Sequence, residues 1–119
     1  MTVTIDLFAN EPGGVEFSRG QVIFSAGDRA EEMYVLIQGE VDISIGGKLV
    51  ETIGPGGVLG EMALIERAPR IATATARTDC RLAAISQKRF LFMVQQTPHF
   101  ALQIMQVISE RLRHMDEKL

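Results

Sequence analysis

Residues 56–76 read GGVLGEMALIERAPRIATATA, and they contain residue types that bind an anion. Gly60 permits a close approach of the backbone, and residues 61–64 can form one helical turn. The first amides of such a turn have no partner within the helix and lie at the positive end of its dipole. A phosphate placed there would gain hydrogen bonds and a favourable field. The segment is therefore a candidate phosphate-binding turn.

Arg70 and Glu61 add two different functional groups to this turn. Arg70 follows the helix-stopping pair Ala68-Pro69, so the chain can fold back and direct the guanidinium to the same anion. Its planar fork matches two phosphate oxygens. Glu61 would repel an anion, so its expected partner is a neutral hydroxyl on the same ligand. A sugar phosphate offers both groups, and a structural ion pair between arginine and glutamate is the alternative explanation.

Short apolar runs with glycine-rich turns between them predict about eight antiparallel strands in residues 15–86. Alternation is clearest where Val41, Ile43 and Ile45 face the core and the residues between them face water. Strands at this spacing are typical of a closed sandwich or jelly roll. The predicted strands are residues 15–17, 22–24, 33–38, 41–45 and 49–53, a stub near Val58, and residues 72–77 and 81–85.

After Ile85 the apolar period changes to about 3.6, which predicts a helix. Ser86 is its expected N-cap, and the helix continues to Gln96. The residues expected to be buried on it are Phe90, Leu91 and Val94.

A last helix is predicted from Pro98 towards the C-terminus, with Thr97 as its cap. Its apolar residues have the spacing of a heptad seam. This seam fits either packing on the chain's own barrel or contact with a second copy or an effector through residues 98–119. The seam residues are Ala101, Met105, Ile108, Leu112, Met115 and Leu119.

The length of 119 residues and the ordinary hydrophobic content of 46% predict one domain. We expect a flexible arm over residues 1–14 and a domain over residues 15–119, with its barrel in residues 15–86 and its helices in residues 87–119. The net charge of −3 disfavours non-specific nucleic-acid binding. Cys80 cannot form an internal disulfide, which indicates a reducing compartment such as the cytoplasm. We predict no membrane segment and no signal peptide.

Several motifs resemble those of cyclic nucleotide-binding domains. GEMAL at residues 60–64 and PRIAT at residues 69–73 are similar to the family's phosphate-binding cassette. Residues 34–41 resemble its strand-glycine-glutamate hairpin, and Gly27-Asp28 resembles its upstream turn. The resemblance implies a mainly β fold, in which an eight-stranded jelly roll carries a cassette helix and two C-terminal helices that respond to the ligand.

The resemblance also implies roles for individual residues. Arg70 would pair with the cyclic phosphate, Glu61 with the ribose 2′-hydroxyl, and the amides of Met62 and Ala63 with phosphate oxygens. The implied ligand-binding residues are Gly60, Glu61, Met62, Ala63, Arg70, Ile71 and Ala72, with Leu59, Thr73 and Met115 as further candidates.

The base is expected to be adenine. Ile71 stands where members similar to cyclic GMP-dependent kinases often have threonine. Cyclic AMP is therefore the expected ligand and cyclic GMP the alternative. In members of the catabolite activator type, polar residues of the long helix read the adenine, and the matching stretch here, His114-Met115-Asp116, is an imperfect match.

The first interpretation is a sensor module without catalytic activity or cofactor. It would lack a DNA-reading domain, as either a free-standing protein or a piece of a longer one. A cupin-like enzyme would need clustered histidines and a carboxylate around a metal, and the chain has only His99 and His114. A degenerate member that binds no nucleotide and acts through its helical seam is the third interpretation.

The basic helix residues are interpreted as solvated charges: Lys88, Arg89, Arg111 and Arg113.

Overall fold

The computed structural model describes residues 4–117, apart from the side chains of Ala63, Met115, Asp116 and Glu117. Each predicted strand is present, with boundaries within one residue of the prediction. The strands are β1 (Val15–Phe17), β2 (Val22–Phe24), β3 (Glu32–Gln38), β4 (Val41–Ile45), β5 (Lys48–Ile53), β6 (Val58–Leu59), β7 (Thr73–Ala76) and β8 (Cys80–Ser86). The helices are α1 (Glu61–Glu66), α2 (Gln87–Gln96) and α3 (His99–Glu117).

The strands form two antiparallel four-stranded sheets, in the orders β1-β8-β3-β6 and β2-β7-β4-β5. Sequence neighbours β3 and β4 lie in different sheets, so the chain crosses between the layers as it does in a jelly roll. The mainly β fold with C-terminal helices is confirmed.

The apolar core lies on both faces of the first sheet. Met33 and Val35 of β3 face the helices, whereas Leu36 faces the second sheet. A strand buried on both faces carries a nearly continuous apolar run, which explains the sequence of β3. The helix-facing cluster also contains Val58, Leu64, Ala83, Ile85, Phe100, Ile104 and Val107. The cluster between the sheets contains Phe24, Val41, Ile53, Leu59, Ala74, Ala76, Cys80 and Leu82.

Helix α2 begins as predicted. The Ser86 hydroxyl accepts a hydrogen bond from the Arg89 amide at 3.1 Å, which caps the first turn. Phe90 and Val94 pack against the core, but Leu91 is exposed. The prediction that Leu91 is buried is therefore wrong, because the face that packs on the sheet is narrower than the apolar run in the sequence.

Helix α3 packs on its own barrel through Phe100, Ile104 and Val107. Two residues of the predicted seam, Met105 and Leu112, are exposed. The buried stripe is rotated by one residue from the seam, so the seam residues lie at the edge of the contact or outside it. The Met115 side chain and Leu119 lie outside the described residues.

The N-terminal segment differs from the expected flexible arm. Ile5 and Phe8 are buried in the helix-facing core. The Arg89 guanidinium pairs with the Glu11 carboxylate at 2.5 Å, and Arg81 Nη1 donates to the Glu11 carbonyl at 2.8 Å. Two isolated apolar residues have no period that a sequence pattern can detect, yet they fill space between the sheet and α3.

No helix within residues 4–117 is both long enough and apolar enough to cross a membrane.

Candidate functional site

A pocket of about 210 Å³ opens between the second sheet, α1 and the end of α3. Its walls are mainly apolar, and its polar groups come from separate segments of the chain. The apolar lining includes Phe24, Ile43, Ile45, Val50, Ile53, Leu59, Met62, Ile71 and Ala72. The ionisable lining consists of Glu51, Glu61, Arg70, Arg111 and His114.

Arg70 lies in this pocket with only 6% of its surface exposed. Its Nη1 donates to the Gly60 carbonyl at 2.9 Å, and its Nη2 donates to the Glu32 carbonyl. Its guanidinium carbon lies 4.2 Å from the centre of the Phe24 ring, within the range of a cation–π contact. The guanidinium is thus held in place by two backbone acceptors and one aromatic ring.

Part of the Arg70 guanidinium has no partner. Its Nε is buried and has no hydrogen-bond acceptor among the described residues. Burial lowers the pKa of Arg70, and the nearby Tyr34, Glu32, Asp28 and Glu61 oppose this shift. A buried cation with an unused N–H favours an anion that brings its own acceptor oxygens.

The absence of a side chain at Gly60 leaves room for the Arg70 guanidinium. Its φ of +79° lies in the left-handed region, and a Cβ built there would overlap Arg70 Nη1 and lie 3.2 Å from Cζ. Glycine is the residue that accepts both this backbone conformation and this contact. Residues 61–66 then form α1, so the first amides of that helix follow directly after Gly60.

Glu61 is almost fully buried, with 1% of its surface exposed. Its Oε1 accepts from Arg111 Nη1 of α3. An arginine–glutamate pair is therefore present, as the alternative explanation of the sequence required, but the arginine is Arg111 and not Arg70.

Arg111 is a site residue that sequence reasoning missed. Besides Glu61, its Nη2 donates to the Val58 carbonyl, and its Nε lies 3.5 Å from Glu51 Oε2. Its interpretation as a solvated helix charge is wrong. The signal was available, because Arg111 continues the spacing of the buried residues Phe100, Ile104 and Val107 by one further step.

The other sequence candidates fall into three groups. Gly60, Leu59, Met62, Ile71 and Ala72 line the pocket with Arg70 and Glu61. Thr73 does not line it, and its hydroxyl instead accepts from the Ala26 amide at 3.1 Å. The side chains of Ala63 and Met115 lie outside the described part of the structure.

Sequence reasoning also missed Glu51 as a pocket residue, whereas His114, which lies in the stretch matched to the adenine-reading part of the long helix, lines the pocket. It assigned Ile43 and Ile45 to the core, whereas they form a partly open wall of the pocket. An alternating strand predicts which face is covered, but it does not predict whether a protein core or a ligand covers it.

Across the described residues, no group of three or more histidine, cysteine, aspartate or glutamate side chains is placed to hold a metal ion.

Comparison with known proteins identifies the family. A model of the cyclic nucleotide-binding domain matches residues 14–97. The chain is 41% identical over 73 residues to a cAMP-dependent protein kinase regulatory subunit of Eremothecium gossypii, which covers 61% of the chain and 16% of that protein. It is 26% identical over 110 residues to a CRP-like cAMP-activated global transcriptional regulator of Mycobacterium tuberculosis, which covers 88% of the chain and 49% of that protein.

Among solved structures, the Catabolite Activator Protein of Thermus thermophilus superposes with a TM-score of 0.82 at 28% identity, covering 95% of the chain and 55% of that protein. The chain therefore spans about half, or less, of the length of these relatives. The family match includes Glu61 and Arg70, whereas Arg111 and His114 lie beyond its end. Because the family model covers well over half of the sequence, the chain belongs to the cyclic nucleotide-binding domain family.

Proposed function

We propose that this chain is a regulatory module that binds cyclic AMP in preference to cyclic GMP and relays ligand binding to α3. The observation that carries the proposal is the buried Arg70 guanidinium, which lines the pocket and has an unused Nε–H. A singly charged cyclic phosphate supplies acceptor oxygens to this cation, which has only 6% of its surface exposed.

Glu61 supplies the second contact. Its Oε1 is taken by Arg111, which leaves Oε2 to accept a ribose hydroxyl. The Arg111 charge also neutralises the carboxylate, so that a phosphate can bind nearby with little repulsion. Both steps use residues that the structure brings to one pocket.

The apolar walls suit a purine. Ile43, Ile45 and Val50 present a surface on which a flat base can pack, and Ile71 lies at the rim. Ile71 offers no hydroxyl to guanine, which supports the preference for cyclic AMP. The names of the two sequence relatives, a cAMP-dependent kinase subunit and a cAMP-activated regulator, support the same ligand.

Arg111 supports the relay. It joins α3 to Glu61 in the first turn of α1, so a ligand that engages Glu61 also acts on the position of α3. In a population-shift mechanism, the ligand favours the state in which these contacts are closed. The module would act by binding and not by catalysis, in the cytoplasm.

The output surface of this proposal is the outer face of α3, where Leu102, Met105 and Leu112 are exposed. A second copy or an effector would contact this face. Size-exclusion chromatography with light scattering, with and without cyclic AMP, measures whether the contact forms between copies.

The binding proposal is tested by calorimetric titration of protein freed of nucleotide by refolding, first with cyclic AMP and then with cyclic GMP. Replacing Arg70 by alanine removes charge-assisted hydrogen bonds and should weaken cyclic AMP binding about ten- to several-hundred-fold. Arg77→Ala is the matched control, because Arg77 pairs with Asp42 at 3.5 Å and does not line the pocket. Equal affinities of the wild type and Arg70→Ala would contradict the proposal.

A further inference from the structure

The polar groups of the pocket follow one another in a fixed order. Arg70 donates to the Gly60 carbonyl, and the next residue, Glu61, pairs with Arg111. Arg111 in turn lies 3.5 Å from Glu51. A cyclic nucleotide has its own order of phosphate, ribose and base. With the phosphate at Arg70 and the ribose at Glu61, the base would be left with the part of the pocket lining that contains Glu51, Ile43 and Ile45.

Glu51 has spare hydrogen-bonding capacity. Within the described part of the chain its carboxylate pairs only with Arg111, through Oε2, and 35% of its side chain is exposed. Oε1 is therefore available to a ligand. Because an ionised carboxylate only accepts hydrogen bonds, the ligand group that it selects must be a donor.

The surrounding strands place this carboxylate beside the apolar wall. Glu51 of β5 lies directly opposite Ile43 of β4 in the strand register. Both residues line the pocket, together with Ile45 and Val50. A base packed on these aliphatic side chains would bring a polar edge to Glu51.

We propose that Glu51 is a specificity-determining residue that accepts a hydrogen bond from the 6-amino group of adenine. This inference rests on the proposed function, the binding of a cyclic nucleotide by this pocket. Guanine in the same orientation would present its O6 carbonyl, a second acceptor, which the carboxylate repels. Arg111 orients Glu51, so one arginine holds both the residue for the ribose and the residue for the base.

The experiment compares two ligands that differ only at position 6 of the base. Cyclic AMP carries the amino group, and purine riboside 3′,5′-cyclic monophosphate carries hydrogen there. The wild type should bind cyclic AMP at least about ten-fold more tightly than purine riboside 3′,5′-cyclic monophosphate, as expected for a hydrogen bond to a charged group. In Glu51→Ala this ratio should fall to near one, and Glu51→Gln, which retains an acceptor oxygen, should give an intermediate ratio.

The ratio of the two affinities distinguishes a direct contact between Glu51 and the base from a structural effect of the substitution. Loss of Glu51 also loosens Arg111, but that change affects both ligands equally and cancels in the ratio. Glu110→Ala is the control, because Glu110 is adjacent to Arg111 in sequence and does not line this pocket. It should leave the ratio unchanged.

Two results would overturn the role of Glu51 while leaving the proposed function intact. These are a wild-type ratio near one, or a ratio that Glu51→Ala does not change, in protein that binds cyclic AMP. Failure of the folded wild type to bind either nucleotide would instead contradict the proposed function itself.

Discussion

The Arg111 guanidinium in α3 forms an ion pair with the buried carboxylate of Glu61 in the first turn of α1. The two residues are 50 positions apart in the sequence. Glu61 is almost completely buried, whereas 26% of the Arg111 side chain is exposed. The pair joins the last helix to the turn that carries polar groups of the pocket.

Replacing Arg111 by alanine should destabilise the fold. The change leaves the Glu61 carboxylate buried without its partner, and we expect a loss of about 1 to 4 kcal/mol, between the values for exposed and buried pairs. Urea unfolding measures the loss. Adding Glu61→Gln to Arg111→Ala should recover part of it, because the uncompensated charge is then removed.

Arg113→Ala is the control for this change, since Arg113 lies on the same helix and is exposed. Its effect should stay within about 0.5 kcal/mol. An equal loss of stability in the two single variants would show that the Glu61 contact contributes nothing.

Gly60→Ala should abolish nucleotide binding at a modest cost in stability. The left-handed backbone disfavours alanine by about 1 to 2 kcal/mol, and the new Cβ would displace the Arg70 guanidinium. Gly47→Ala is a matched control, because Gly47 has the same φ of +79° but has no atom within 4 Å of a Cβ. Unfolding should show a loss of stability in both variants that is larger in Gly60→Ala, and cyclic AMP titration should show loss of binding only in Gly60→Ala. Unchanged binding by Gly60→Ala would mean that the position of Arg70 is not essential.

Phe100→Ala should be the most damaging single change in α3. The Phe100 ring is fully buried, with its centre 6.4 Å from that of Phe8 and 5.5 Å from that of Phe90. Truncating such a residue costs about 3 to 5 kcal/mol. Phe92→Ala on α2 removes a ring that is 59% exposed and should change stability by at most about 0.5 kcal/mol. Thermal unfolding compares the two, and similar melting temperatures would show that α3 is not anchored through Phe100.

Local sequence patterns predicted the strands well because most of the strands are short apolar runs bounded by turn residues such as Gly46-Gly47 and Gly54-Pro55. The boundaries of β3 and the Ser86 cap of α2 follow from residues within a few positions of one another. Gly60, Glu61 and Arg70 were found for the same reason, since they lie in one short segment.

The remainder of the site depends on contacts between distant segments. Arg111 reaches the pocket because Phe100, Ile104 and Val107 fix the rotation of α3 against the sheet. Glu51 reaches it because β5 pairs with β4, which places Glu51 opposite Ile43. Ile5 and Phe8 likewise enter the core only through space that the folded barrel leaves open. The order of polar and apolar residues along the chain predicts neither the pocket contacts of Arg111 and Glu51 nor the burial of Ile5 and Phe8.

Hydrogen exchange of the backbone amides, with and without saturating cyclic AMP, tests most directly whether α3 responds to the pocket. In the wild type, cyclic AMP should slow exchange both in residues 60–66 and in the part of α3 from Ile104 to His114. In Arg111→Ala, the protection should remain in residues 60–66 and disappear from α3. Unchanged exchange in α3 of the ligand-saturated wild type would contradict the relay, as would full protection of α3 in Arg111→Ala.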